Sequence, residues 1–127
     1  MIAIDTNIVV RILARDDPDQ SPRARALVHA NQVFVASTVF LEAEWVLRSI
    51  YRMDKAVVAA TLRAFAGLPT VNLEDPARVL QALDWADEGL DFADALHLAS
   101  AGGCDGFFTF DQGLAKLAPR GIVVRAP

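Results

Sequence analysis

Four acids stand where carboxylates could act together: Asp5, Glu42, Asp94 and Asp111. Asp5 follows the apolar run Ile2-Ala3-Ile4, Asp111 follows Phe107–Phe110, and Asp94 falls in the opening turn of a helical pattern begun by Asp91. In an open α/β sheet, ligands bind beyond the carboxyl ends of the strands, so these side chains could converge. Glu42 shares a helical face with Val39 and Val46, which predicts a carboxylate turned toward apolar surroundings and in need of a partner. Gathered acids repel one another unless divalent cations neutralise them, and all-oxygen donors favour magnesium or manganese over zinc. Such an ion lowers the pKa of water and screens a phosphodiester, chemistry suited to phosphate-ester hydrolysis.

Taken singly, each acid has a plainer role. Asp5 can form an Asx turn, Asp91 and Asp111 can cap helices, and Asp94 can be the acidic third residue of a capping box begun by Asp91. Glu44 has a partner in Arg48 one helical turn on, which assigns it to surface pairing.

Short β-like runs and longer helical ones alternate along the chain, the pattern of an α/β domain with a parallel sheet. Five runs read as strands: Ile2–Ile4, Val33–Val35, Val71–Leu73, Phe107–Phe110 and Ile122–Val124. Helices are predicted at Asn7–Ala14, at Arg23–His29 behind a Ser21-Pro22 cap, and at Ala77–Ala86 behind Asp75-Pro76. A helical hairpin is predicted from Thr38–Tyr51 and from a second helix opened by Asp54 and ending near Gly67. Phe92–Ser100 forms a helix stopped by Gly102-Gly103, and Asp111 opens a short one stopped by Pro119.

The length, with 54% hydrophobic content, predicts one domain over residues 1–127 with no linker or repeat. No apolar run approaches the roughly 20 residues needed to cross a bilayer, and the N-terminus lacks a basic leader and a signal core, so the expected location is the cytoplasm. A net charge of −4 has the wrong sign for nucleic-acid binding by bulk charge alone, so acids grouped around cations would have to change the local field. The lone Cys104 forms no internal disulfide, and with only His29 and His97 beside it a four-ligand zinc site is excluded. Cys104 reads as a buried or inert thiol, the two histidines as packed or surface residues, and Trp45, Trp85 and the phenylalanines mostly as core or dimer surface.

The chain resembles PIN-domain ribonucleases and, within them, the VapC toxins of bacterial toxin-antitoxin pairs. The resemblance runs through Ile4-Asp5-Thr6-Asn7, Val39-Phe40-Leu41-Glu42, Trp45-Val46-Leu47-Arg48, Asp91-Phe92-Ala93-Asp94-Ala95-Leu96-His97-Leu98-Ala99 and Phe108-Thr109-Phe110-Asp111. It implies a three-layer α/β/α fold with a central parallel sheet of about five short strands and an acidic pocket for one or two magnesium or manganese ions. The family's acids fall on Asp5, Glu42, Asp94 and Asp111, with Asn7, Thr109 and Asp91 in supporting positions. The activity implied is hydrolysis of RNA by a metal-activated water, leaving 5′-phosphate and 3′-hydroxyl ends. A VapB-like antitoxin and a homodimer are the implied partners. Arg11, Arg15, Arg48 and Arg52 are candidate phosphate contacts, explained equally well as a solvated helix face.

Two other readings compete. A haloacid dehalogenase-like phosphatase would use Asp5 as nucleophile, but it wants a second acid two residues later, where Asn7 stands. A catalytically silent PIN-like module would act only by binding protein.

Overall fold

Residues Ile2–Ala3 form β1, and Thr6–Ala14 follow at once as α1. Asp5 supplies the turn between them, with its side chain accepting the Ile8 N–H at 3.2 Å. In this computed structural model, which describes residues 1–127, the chain divides into two units, Met1–Pro76 and Ala77–Pro127.

The first unit continues with α2 (Gln20–Ala30), β2 (Val33–Val35), α3 (Ser37–Ser49), α4 (Lys55–Ala66) and β3 (Val71–Leu73). Its strands form a parallel ladder in the order β1-β2-β3, with Val33 paired to Ile2 on one side and Val71 on the other. The central β2 is the buried one, with Val33 and Val35 both at 0% exposure. Parallel strands need crossovers, which the helices between them supply. The predicted hairpin is α3 against α4, where the Phe40 and Phe65 rings meet at a centroid distance of 6.2 Å. Each such buried side chain contributes about 1.5–3 kcal/mol.

The start of α2 differs from the Ser21-Pro22 reading. Asp17 does the capping, accepting from the backbone N–H groups of Asp19 and Gln20 at 2.9 and 2.7 Å. The helix therefore begins at Gln20 and takes Ser21 and Pro22 into its first turn, where proline is tolerated. Ser21 ends up buried with an unpartnered hydroxyl. At α3 the adjoining Ala36 has no capping side chain, and Glu74, beyond β3, accepts the Ser37 N–H at 2.9 Å instead.

The second unit holds α5 from Pro76, which begins at the boundary, to Asp87, then α6 (Phe92–Ser100), β4 (Phe107–Phe108), α7 (Gln112–Leu117) and β5 (Val124–Arg125). Strands β4 and β5 pair in parallel, Phe107 with Val124 and Phe108 with Arg125. Val79, Leu83, Phe92 and Leu98 carry its burial.

The α/β class with parallel strands is as expected, but the five strands form a three-stranded and a two-stranded ladder rather than one five-stranded sheet. Several are also shorter than predicted. Ile4 falls outside β1, Thr109 and Phe110 fall outside β4, and β5 starts two residues late, because runs this short hold only a few ladder bonds.

Candidate active site

Each proposed acid sits at or just inside a helix N-terminus, except Glu42. Asp5 caps α1, Asp91 caps α6 by accepting the Asp94 N–H at 3.3 Å, and Asp111 caps α7 by accepting the Leu114 N–H at 3.1 Å. The capping roles are therefore real. They do not use up the carboxylates, since an ionised carboxyl has about four lone-pair sites and a cap bond takes one.

In the second unit the acids interact. Asp94 occupies the third position of α6, half-buried, and its carboxyl is pushed above the usual carboxylate range. Burial is the main cause, followed by the charges of Asp91 and Asp111, with His97 opposing. Asp94, in the first turn of α6, thus feels the charges of both Asp91 and Asp111. A cation would relieve that repulsion, and carboxylate oxygens are the donor type a hard divalent ion takes.

Thr109 and Gly113 shape the Asp111 end. The Thr109 Oγ1 accepts the Asp111 backbone N–H at 3.0 Å, which holds the residue as it leaves β4. At Gly113 an added Cβ would lie 3.1 Å from Asp111 Oδ1, so the missing side chain leaves the carboxylate room over the first turn of α7. The sequence reading overlooked Gly113; the signal was a glycine two residues beyond a capping aspartate.

In the first unit, Asp5 and Asn7 are both exposed around the start of α1. Asn7 lines a groove of about 650 Å³ with Ile8, Arg11, Gln20, Arg23, Ala24 and Leu27. Glu42 is exposed, contrary to the apolar surroundings expected of it, and Glu44 takes the buried place instead. The buried stripe of α3 is Phe40, Ala43, Glu44 and Leu47, so the carboxylate that needs a partner is Glu44, and it has one in Arg48 Nε at 2.8 Å. This is the predicted pair, moved from the surface into the interior.

The arginines divide accordingly. Arg11 donates to Gln20 Oε1 at 2.7 Å and to the Tyr51 hydroxyl at 3.0 Å, and Arg48 is held by Glu44. Arg15 and Arg52 are exposed and both have left-handed backbone, with φ of 54° and 55°. His29 and His97 are exposed on their helices, and Cys104 is exposed rather than buried. Trp45, Phe108 and Phe110 are exposed as well, at 53%, 61% and 85%.

No group of three or more His, Cys, Asp or Glu side chains is gathered closely enough to hold a metal ion. Asp5 and Glu42 belong to the first unit, Asp94 and Asp111 to the second.

The PIN domain family matches this chain over residues 2–119, and the chain belongs to that family. Among solved structures it is similar to VapC20 of Mycobacterium tuberculosis, described as a sarcin-ricin loop cleaving toxin. The two are 19% identical, the match covers 97% of each chain, and the TM-score is 0.46. A search of curated protein sequences finds no match. No helix is long and apolar enough to cross a membrane.

Proposed function

We propose that this chain is a metal-dependent endoribonuclease of the VapC toxin type, acting as one domain over residues 1–127. The observation that carries the reading is the half-buried Asp94 carboxyl set against Asp91 and Asp111 in a PIN-domain chain. Capping explains Asp91 and Asp111, but a half-buried Asp94 carboxyl beside them costs stability without a cation, which favours a site.

Asp5, Glu42, Asp94 and Asp111 would hold one or two magnesium or manganese ions. Such an ion supplies a more acidic water and charge neutralisation at the phosphate. The chain's own part is to orient and to exclude. Asp91 fixes the turn that presents Asp94, Thr109 fixes the backbone of Asp111, and Asn7 stands beside Asp5 to direct a carboxylate or a water. The substrate's 2′-hydroxyl takes no part, so the products carry 5′-phosphate and 3′-hydroxyl ends. A VapB-like antitoxin covering the acidic residues, a homodimer and a cytoplasmic location complete the proposal.

A catalytically silent protein-binding module is the second reading, favoured by the lack of a ready-made three-acid metal group. Calorimetric titration of manganese separates the two, because a chain that binds no ion cannot run the reaction. The direct test incubates wild type, Asp5→Asn and Asp94→Asn with total RNA and manganese, then sequences the cut ends. Cutting by wild type alone, with 5′-phosphates, is the expected result; 2′,3′-cyclic phosphates or equal cutting by all three proteins would overturn it.

A further inference from the structure

Two aromatic side chains stand in water immediately before Asp111. Phe110 is 85% exposed and Phe108 is 61% exposed, although burying either would stabilise the fold. Phe108 lies opposite Arg125 in the β4-β5 ladder, and Arg125 is exposed and outside the ion pairs of the chain. Thr109, between the two phenylalanines, is tied by its own N–H to the Arg125 carbonyl at 2.9 Å and by its hydroxyl to Asp111. The aromatics therefore sit on backbone anchored at both ends.

We infer that Phe110, flanked by Phe108 and Arg125, is a stacking platform for a base next to the scissile phosphate. The inference rests on the ribonuclease reading above. The α-carbons of Phe110 and Asp111 are about 3.8 Å apart, so a phosphodiester held through a cation at Asp111 brings a flanking base within one nucleotide of the ring. Every base has a π-face, and stacking on an exposed aromatic tolerates any sequence. Arg125, the register partner of Phe108, supplies a positive charge suited to the backbone phosphate that follows. A base inside a duplex is already stacked on its neighbours and cannot use the platform, which gives the preference for loops and single strands.

The test is a fluorescence titration of full-length protein, with calcium in place of manganese so that carboxylate and phosphate are bridged without cutting, and with a random-sequence oligoribonucleotide containing a fluorescent purine. It is run single-stranded and as a duplex, on wild type, Phe110→Ala and Phe110→Trp. Phe110→Ala is expected to bind the single strand about 5- to 100-fold more weakly while melting at the wild-type temperature. Phe110→Trp should restore binding, its added indole emission quenched by RNA, and the duplex should bind weakly to all three. Wild-type binding by Phe110→Ala, equal losses for single strand and duplex, or no binding by wild type each overturn the platform. So does a change confined to self-association, which would mark the patch as a surface for a second copy. RNA cutting with Phe110-independent binding removes the platform and leaves the ribonuclease; Phe110-dependent binding without cutting by wild type does the reverse.

Discussion

The Asp91 carboxylate accepts the backbone N–H of Asp94 at 3.3 Å, so one acid secures the helical turn from which the other projects. The same pair repels through its side chains, which helps to push the Asp94 carboxyl above its usual range. Attraction along the backbone and repulsion between carboxylates meet in four residues.

Replacing Asp91 separates those effects. Asp91→Ala removes the cap of α6 and is expected to cost about 1 kcal/mol in urea unfolding, while Asp91→Asn keeps the cap and costs a few tenths. RNA cutting should fall roughly 10-fold in the alanine variant and less in the asparagine one, since only the first loosens the turn carrying Asp94. Equal activities would reduce Asp91 to a cap and nothing more.

Asp94→Asn should make the metal-free protein more stable, raising its melting temperature by on the order of 2 °C, and lower cutting at least about 100-fold. The folded carboxyl holds its proton more tightly than the unfolded one. Its contribution to stability is therefore complete below the unfolded-state value near 3.8 and is lost as pH rises through the higher folded-state value. Melting curves across that range should show this decline in wild type and not in Asp94→Asn. Added manganese should narrow the stability gap at neutral pH.

Arg48→Ala should be among the most destabilising changes outside the apolar core. The Glu44 side chain is 6% exposed, and removing its guanidinium partner leaves a nearly buried charge, at a cost of about 2–3 kcal/mol given that Arg48 itself is partly solvated. The double substitution Glu44→Met with Arg48→Met should recover most of the loss in urea unfolding. A double variant as unstable as Arg48→Ala would show that the ion pair is not the reason.

Ser21→Ala should stabilise the chain by about 0.5–1 kcal/mol. The hydroxyl is buried without a partner in the first turn of α2, so deleting it removes a desolvation cost and leaves a better helix former. Denaturant unfolding gives the answer directly, and a destabilised variant would mean that the hydroxyl has a partner in solution.

Local rules account for much of this molecule. A capping aspartate beside an apolar stripe is enough to start α1, α6 and α7, because the bonds that secure a helix start lie within four residues of each other. The PIN family pattern was readable for the same reason, since its motifs are short and keep their order along the chain. At α2 the Ser21-Pro22 signal misled, because Asp17, four residues before Ser21, takes the first backbone N–H groups instead.

Residue order by itself determined the helices, the parallel strand pattern and which acids open their helices, all of which depend on neighbours in the chain. Only the tertiary structure decided which side of α3 turns inward. Val39, Glu42 and Val46 make one plausible stripe at helical spacing, and Phe40, Ala43, Glu44 and Leu47 make another. The choice depends on the surfaces that α1 and α4 present to the helix, and those come from segments distant in the sequence. The division of the strands into two ladders has the same origin, because strand partners are selected by side chains and crossovers far from the strand itself.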